Sequence, residues 1–173
     1  MATGTVHLAP NATTQPDGST TNLAAGQVRL QGTQTGAKWH QIALTFIGDG
    51  TVQGSWWTFR MPVDYASGGA LKLQWIINAT TNAVKWQAQV GAITPADADT
   101  PLEHALAAAA TVTTNVNTTE ANRLTESSIT LTMDSAAAGD LIELFVFRDS
   151  GDAADTSTAT ANLLAASFEY TTT

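Results

Sequence analysis

Few side chains in this 173-residue chain could carry chemistry, and they lie far apart in the sequence. The three histidines, His7, His40 and His104, fall in three separate predicted elements, so their spacing does not indicate a zinc site. The chain has no cysteine, which removes disulfides, thiolate nucleophiles and cysteine-based metal sites. No nucleophile elbow, phosphate-binding glycine loop or zinc-protease motif occurs in it. The sequence therefore predicts a protein that is not an enzyme and that uses no cofactor.

The acidic segment at residues 149–155 is the best candidate for a metal site. Asp149, Asp152 and Asp155 could supply oxygen ligands to Ca²⁺, which prefers carboxylates and carbonyls on a flexible loop. Their spacing is not that of an EF-hand loop, and aspartates in solvated loops commonly cap turns. We therefore expect a turn-rich acidic loop without metal, and calcium binding is the weaker alternative.

Glu143 is the one carboxylate inside a strongly apolar segment. A glycosidase would need a second carboxylate across a cleft, about 5–10 Å away. The favoured interpretation is instead an ion pair between Glu143 and an arginine, either Arg60 or Arg148.

Residues 55–61 alternate between two sets of side chains, which a strand directs to opposite faces. The apolar set predicts the core face, and its members are Trp57, Phe59 and Met61. The other set faces away from the core, and its members are Trp56, Thr58 and Arg60. An aromatic ring on a polar face indicates a subunit contact or a platform for sugar stacking, unless a loop of the same chain covers it. We therefore predict that this second set forms the interface.

Alternation of the same kind recurs along the chain and is clearest at residues 71–77 and 84–90. These two segments are expected to pair as a hairpin through residues 78–82. Residues 141–148 are apolar on both faces and predict a central strand, whereas residues 102–110 predict an irregular or partly helical connection. Four tryptophans are expected in or at the edge of the core: Trp39, Trp57, Trp75 and Trp86.

About eight to ten such strands without a long helix indicate an all-β protein, an antiparallel β-sandwich. A jelly roll is the expected topology, and an immunoglobulin-like sandwich is the alternative. Residues 1–25 carry few large apolar side chains and are expected to form an extended N-terminal arm or loop region with one short strand at residues 5–8. Residues 26–173 are expected to form a single sandwich domain.

The charge of the chain limits the classes of partner that it can bind. Charged residues make up 13% of the chain, and the net charge is −8 with only seven Lys and Arg residues. Seven cations scattered along the chain cannot form a continuous surface that binds a phosphate backbone or an anionic membrane. We therefore expect no nucleic acid and no membrane as partner. No apolar run approaches the roughly 20 residues of a membrane-spanning helix. The N-terminus begins with Met and has no signal-peptide pattern, which suggests a complete chain made in a host cytoplasm.

Several motifs together resemble a β-sandwich module of small virion proteins from tailed bacteriophages. The resemblance covers residues 55–171. In the first half it rests on Trp57, Phe59, Met61, Tyr65, Leu71, Leu73, Trp75, Val84 and Trp86. In the second half it rests on the stretches at residues 124–127, 138–141, 148–149, 155–156 and 164–170.

The resemblance implies a virion structural protein that decorates the outer surface of the capsid and stabilises it. Such cement proteins commonly form homotrimers and contact the major capsid protein, so the expected location is the virion. The alternative is a fibre or spike module that binds a carbohydrate or receptor on the host surface. The resemblance supplies no active-site residues.

Overall fold

The computed structural model describes residues 2–19, 23–98 and 100–173. Within these ranges there is no helix, and hence none that could span a membrane. The described strands are β1 (Thr3–Leu8), β2 (Leu23–Ala24), β3 (Gly26–Gln31), β4 (His40–Phe46), β5 (Val52–Arg60), β6 (Tyr65–Ile77), β7 (Ala83–Ile93), β8 (Ala110–Asn115), β9 (Thr125–Thr130), β10 (Leu141–Asp149) and β11 (Ala161–Thr172).

The strands form two facing sheets with the strand order of a jelly roll. Sheet 1 has the order β3-β4-β11-β6-β9, and β1 also pairs with β11. Sheet 2 has the order β2-β5-β10-β7-β8. If β4 to β11 are numbered as strands 1 to 8, the order in sheet 1 is 1-8-3-6 and the order in sheet 2 is 2-7-4-5. These are the strand orders of a jelly roll, a double sheet made of two Greek keys. The predicted antiparallel sandwich and its jelly-roll topology are therefore confirmed.

The predicted hairpin between residues 71–77 and 84–90 is wrong. Both segments are strands, but β6 pairs with β9 and β11 in sheet 1, whereas β7 pairs with β8 and β10 in sheet 2. Residues 78–82 therefore cross from one sheet to the other. The apolar faces meet across the core, where the rings of Trp75 and Trp86 lie 5.9 Å apart. Alternation identifies a buried face, and the same pattern suits strands that pair and strands that face each other.

The core contains most of the predicted apolar positions. Trp57 and Met61 are buried, and Phe59 is partly buried and packs against the core cluster. Trp39 is an exception, since it precedes β4 and is 60% exposed. Ile42 is also exposed, whereas Leu44 and Phe46 further along β4 are buried.

The N-terminal segment contains the predicted strand, β1, and this strand belongs to the sandwich of its own chain. β1 pairs with β11 along six residues, and Gly4 passes so close to the Tyr170 ring that a Cβ there would lie 2.2 Å from Cζ. Further along, Thr14 forms an isolated bridge with Trp56 at the edge of sheet 2. Residues 1 and 20–22 lie outside the described part of the chain.

A buried ion pair joins β10 to the loop that follows it. Arg148 is fully buried and binds both carboxylate oxygens of Asp155, each at 2.8 Å. Its other donors reach the carbonyl oxygens of Phe46, Ser157 and Ala159. Of the two ion pairs predicted for Glu143, with Arg60 or with Arg148, the one with Arg148 is therefore wrong, because the side chains of Glu143 and Arg148 point to opposite faces of β10.

The two tyrosines of the chain lie together, with ring centroids 5.8 Å apart. Burial raises the pKa of Tyr65 above its ordinary value of 10.0. Burial also raises the pKa of Tyr170, and so do the hydrogen bond that it donates to Asp64 (2.9 Å) and the charge of that carboxylate.

These shifts predict a loss of stability at alkaline pH. A raised pKa means that the unfolded tyrosines ionise first, so stability is unaffected below about pH 10 and falls as the pH rises through the folded pKa values. Tyrosinate absorbance, titrated in native buffer and in denaturant, measures the shift directly. In the Tyr170→Phe variant Tyr65 is the one remaining tyrosine, so the titration curve of the native protein reports the pKa of Tyr65 alone. Coincident native and denatured curves would contradict the prediction.

Candidate functional site

A groove of about 720 Å³ lies on the outer face of sheet 2. Its floor consists of outward-facing residues of β5, β10 and β7, and its two walls are the segments at residues 14–17 and 101–106. The groove is lined by Thr14, Gln15, Pro16, Asp17, Trp56, Thr58, Gly91, Ile93, Pro101, Leu102, His104, Leu106 and Glu143.

An aromatic row supports the floor. Trp56 stacks on Phe145, its partner across the strand pair, with ring centroids 4.5 Å apart and planes inclined by 24°. Phe145 in turn stacks on Phe147 at 4.9 Å. Gly54 leaves the room that this row requires, since a Cβ there would lie 2.2 Å from the Phe145 ring. The indole of Trp56 is therefore fixed from one side, and the groove lies against its remaining surface.

Polar groups of two neighbouring strands lie beside the indole. Thr58 is the next outward-facing residue along β5, and its hydroxyl donates to Glu143 Oε1 at 3.2 Å. Glu143 lies opposite Thr58 in the register of β10 with β5. A carboxylate and a hydroxyl thus line the groove where Trp56 supplies an apolar surface.

The first wall is attached to the edge of sheet 2 by backbone hydrogen bonds. The amide of Thr14 donates to the carbonyl of Trp56, and the amide of Trp56 donates back, both at 2.9 Å. Gln15 Nε2 donates to Ser55 Oγ and to Thr13 Oγ1, each at 3.1 Å. These contacts hold the wall directly beside the indole.

The second wall belongs to an irregular segment, as predicted for residues 102–110, and its described part contains a turn but no helix. The amide of Ala107 donates to the carbonyl of Val90 at 2.8 Å, which ties the segment to β7. His104 Nε2 lies 2.7 Å from Asp134 Oδ2, and the amide of Ala92 donates to the same oxygen at 2.9 Å. Leu102 lies at the rim with its side chain fully exposed.

The structure divides the predicted interface residues into two groups. Trp56 and Thr58 line the groove, whereas Arg60 turns away from it and donates from Nε to the carbonyl of Gly139 at 3.2 Å. Sequence reasoning missed the place of His104 and Leu102, because nothing in the sequence shows that their segment folds over the face of β7. The role of the three predicted residues as an interface stays a prediction.

The three aspartates considered for calcium do not converge. Asp155 is buried against Arg148, and Asp149 accepts from the amide of Gly151 at 3.1 Å. Asp152 accepts from Lys85 Nζ at 2.6 Å, and this hydrogen bond holds the pKa of Asp152 below its ordinary value. Nowhere in the described ranges do three or more metal-binding side chains form a group that could hold an ion. The structure therefore does not support the calcium alternative, because each carboxylate has another partner.

Comparison with known proteins finds similarity at the level of structure only. No family model and no curated protein sequence matches the chain. Among solved structures, carbohydrate-binding modules of the β-sandwich superfamily with promiscuous specificity match with a TM-score of 0.41 and 10% identity, over 96% of this chain and 56% of theirs. The CBM27-1 of Caldicellulosiruptor saccharolyticus, in complex with mannohexaose, matches with a TM-score of 0.47 and 9% identity. This match covers 95% of this chain and 96% of the module.

An exo-β-1,3-galactanase from Phanerochaete chrysosporium, with galactose, matches with a TM-score of 0.45 and 11% identity. The match covers 96% of this chain and 29% of the galactanase. This chain thus spans only part of that enzyme, and little more than half of the first module.

Proposed function

We propose that this protein is a non-catalytic module that binds carbohydrate in the groove of sheet 2. The observation that carries the proposal is the position of Trp56, which is supported by Phe145 and lies in a groove between two walls. An indole offers a flat, polarisable surface to the C–H groups of a pyranose ring, and few other soluble ligands pair such a face with many hydroxyls.

The polar lining supports the same class of ligand. Sugar hydroxyls donate as well as accept hydrogen bonds, so carboxylates and hydroxyls beside an aromatic surface are suitable partners. Glu143, Asp17 and Thr58 provide such groups along the groove. The walls are segments tied down by backbone hydrogen bonds, which limits the ordering that a bound glycan would have to impose.

A glycan array probed with the labelled protein tests this function, with and without calcium. We expect binding to a restricted set of glycans that persists in a chelator, because the acidic loop uses its carboxylates for other partners. Titration of tryptophan fluorescence in solution then measures the affinity. Absence of binding to every glycan in both conditions would contradict the proposal.

Decoration of a phage capsid as a homotrimer, in contact with the major capsid protein, stays a prediction from the sequence resemblance. It would be supported if purified particles contained the chain and if the isolated protein sedimented as a trimer. A monomer that does not bind capsids lacking it would count against this role. A fibre or spike module with the proposed groove would combine the resemblance with carbohydrate binding.

A further inference from the structure

Apart from His104, the ionisable side chains on the described lining of the groove are carboxylates. Asp17 and Glu143 line it, whereas none of the seven Lys and Arg residues of the chain does. His104 is the one basic group on the described lining, and its Nε2 lies 2.7 Å from Asp134 Oδ2. A positive charge on His104 would therefore be offset by a carboxylate that is already beside it.

We propose that the groove selects uncharged glycans and rejects their acidic counterparts, an inference that rests on the proposed carbohydrate-binding function. The ligand class consists of neutral hexose oligomers, and the rejected class consists of uronates with the same linkage and ring configuration. The discrimination comes from repulsion in the groove and needs no contact that is specific to one sugar.

Glu143 is the residue that discriminates most directly. Thr58 donates to its Oε1, so the carboxylate is held at the floor of the groove beside Thr58. A neutral sugar presents hydroxyls that can donate to this carboxylate. A uronate presents a second ionised carboxylate with no proton to donate, and the described lining supplies no lysine or arginine to place between the two charges. The net charge of −8 adds repulsion at longer range.

Matched glycan pairs test the inference on the full chain. The probes are cellohexaose, β-1,4-mannohexaose and β-1,3-glucohexaose, each before and after oxidation of its primary hydroxyls to carboxylates. For every neutral probe that binds, we expect the oxidised form to bind about tenfold more weakly or worse at low salt. Added salt should narrow the difference, because it screens charges at an accessible groove.

The variant Glu143→Gln assigns the effect to this carboxylate. Glutamine keeps the size of the side chain and an oxygen that can accept from Thr58, but it removes the charge. The ratio of neutral to acidic affinity should therefore fall at least threefold. On the free-energy scale this is about half of the tenfold effect. Glu126→Gln is the matched control. It makes the same charge change on the outer face of sheet 1, where Glu126 accepts from Gln74 at 3.3 Å, and it should leave the ratio unchanged.

The outcomes separate the two proposals. Equal affinity for neutral and oxidised glycans, or tighter binding of the oxidised ones, would overturn the charge selection while leaving carbohydrate binding in place. The charge selection would also be overturned if the ratio of neutral to acidic affinity stayed the same at high salt and in Glu143→Gln. A steric clash with the oxidised sugar would depend on neither salt nor the charge of residue 143. Absence of binding to every probe would instead contradict the proposed function itself.

Discussion

Replacement of Asp155 by asparagine is expected to lower the free energy of unfolding by about 3–5 kcal/mol, because it leaves the buried charge of Arg148 without a counter-ion. Arg148 has no exposed surface, and Asp155 meets its guanidinium with both oxygens at 2.8 Å. The asparagine side chain would retain one acceptor oxygen but would present an amide donor where a carboxylate oxygen now accepts. A loss of this size would remove a large part of the roughly 5–15 kcal/mol that stabilises a typical domain.

The pair also organises the loop around it, which adds to the expected loss. Arg148 donates to the carbonyls of Ser157 and Ala159, and Asp155 Oδ2 accepts from the amide of Lys85 at 3.1 Å. The loop after β10 is thus attached both to its own strand and to β7. Without the carboxylate, those carbonyls would face a guanidinium that is no longer held in position.

Equilibrium unfolding in denaturant measures the effect, and Asp152→Asn is the matched control. Asp152 lies in the same loop and pairs with Lys85, but its side chain is partly exposed, so the same substitution should cost far less. Similar losses in the two single variants would contradict the prediction.

The sequence was sufficient to predict the class of fold, because in-out alternation is a property of each strand by itself. The jelly roll was also expected, but the partner of each strand was not always found. β6 and β7 show the reason, since both have one apolar face and a short connection, and only the remaining strands decide whether they pair or face each other. Trp39 shows a second limit, because it lies just before β4 begins and is 60% exposed, and the alternation along this segment does not show where the strand starts.

The candidate site was predictable only where it lies on a strand. Trp56 and Thr58 follow from alternation within β5, and the structure places both in the groove. The walls come from two irregular segments that are distant in sequence, and no local pattern shows which sheet face they cover. The pairing of Arg148 with Asp155 was missed for a similar reason, since the loop must turn back before the carboxylate reaches the strand.

Replacement of Trp56 by alanine is expected to weaken glycan binding by about 30-fold or more, the effect of losing roughly 2 kcal/mol from a central aromatic contact. The indole is the flat surface of the groove, and Phe145 supports it from behind. Removal would take away the stacking surface and leave a cavity beside Thr58 and Glu143. Phenylalanine at the same position keeps a smaller ring and should give an intermediate affinity.

Trp39→Ala is the matched control for this variant, because Trp39 is 60% exposed and is not among the residues that line the groove. It should leave glycan affinity unchanged, and circular dichroism should show that both variants are folded.

Sedimentation of the same variants separates the two roles that the sequence predicts for Trp56, a platform for sugar stacking and a subunit contact. A sugar platform predicts that Trp56→Ala alters glycan affinity and leaves the sedimentation coefficient unchanged. A subunit contact predicts the reverse, because loss of a buried aromatic from an interface weakens assembly directly.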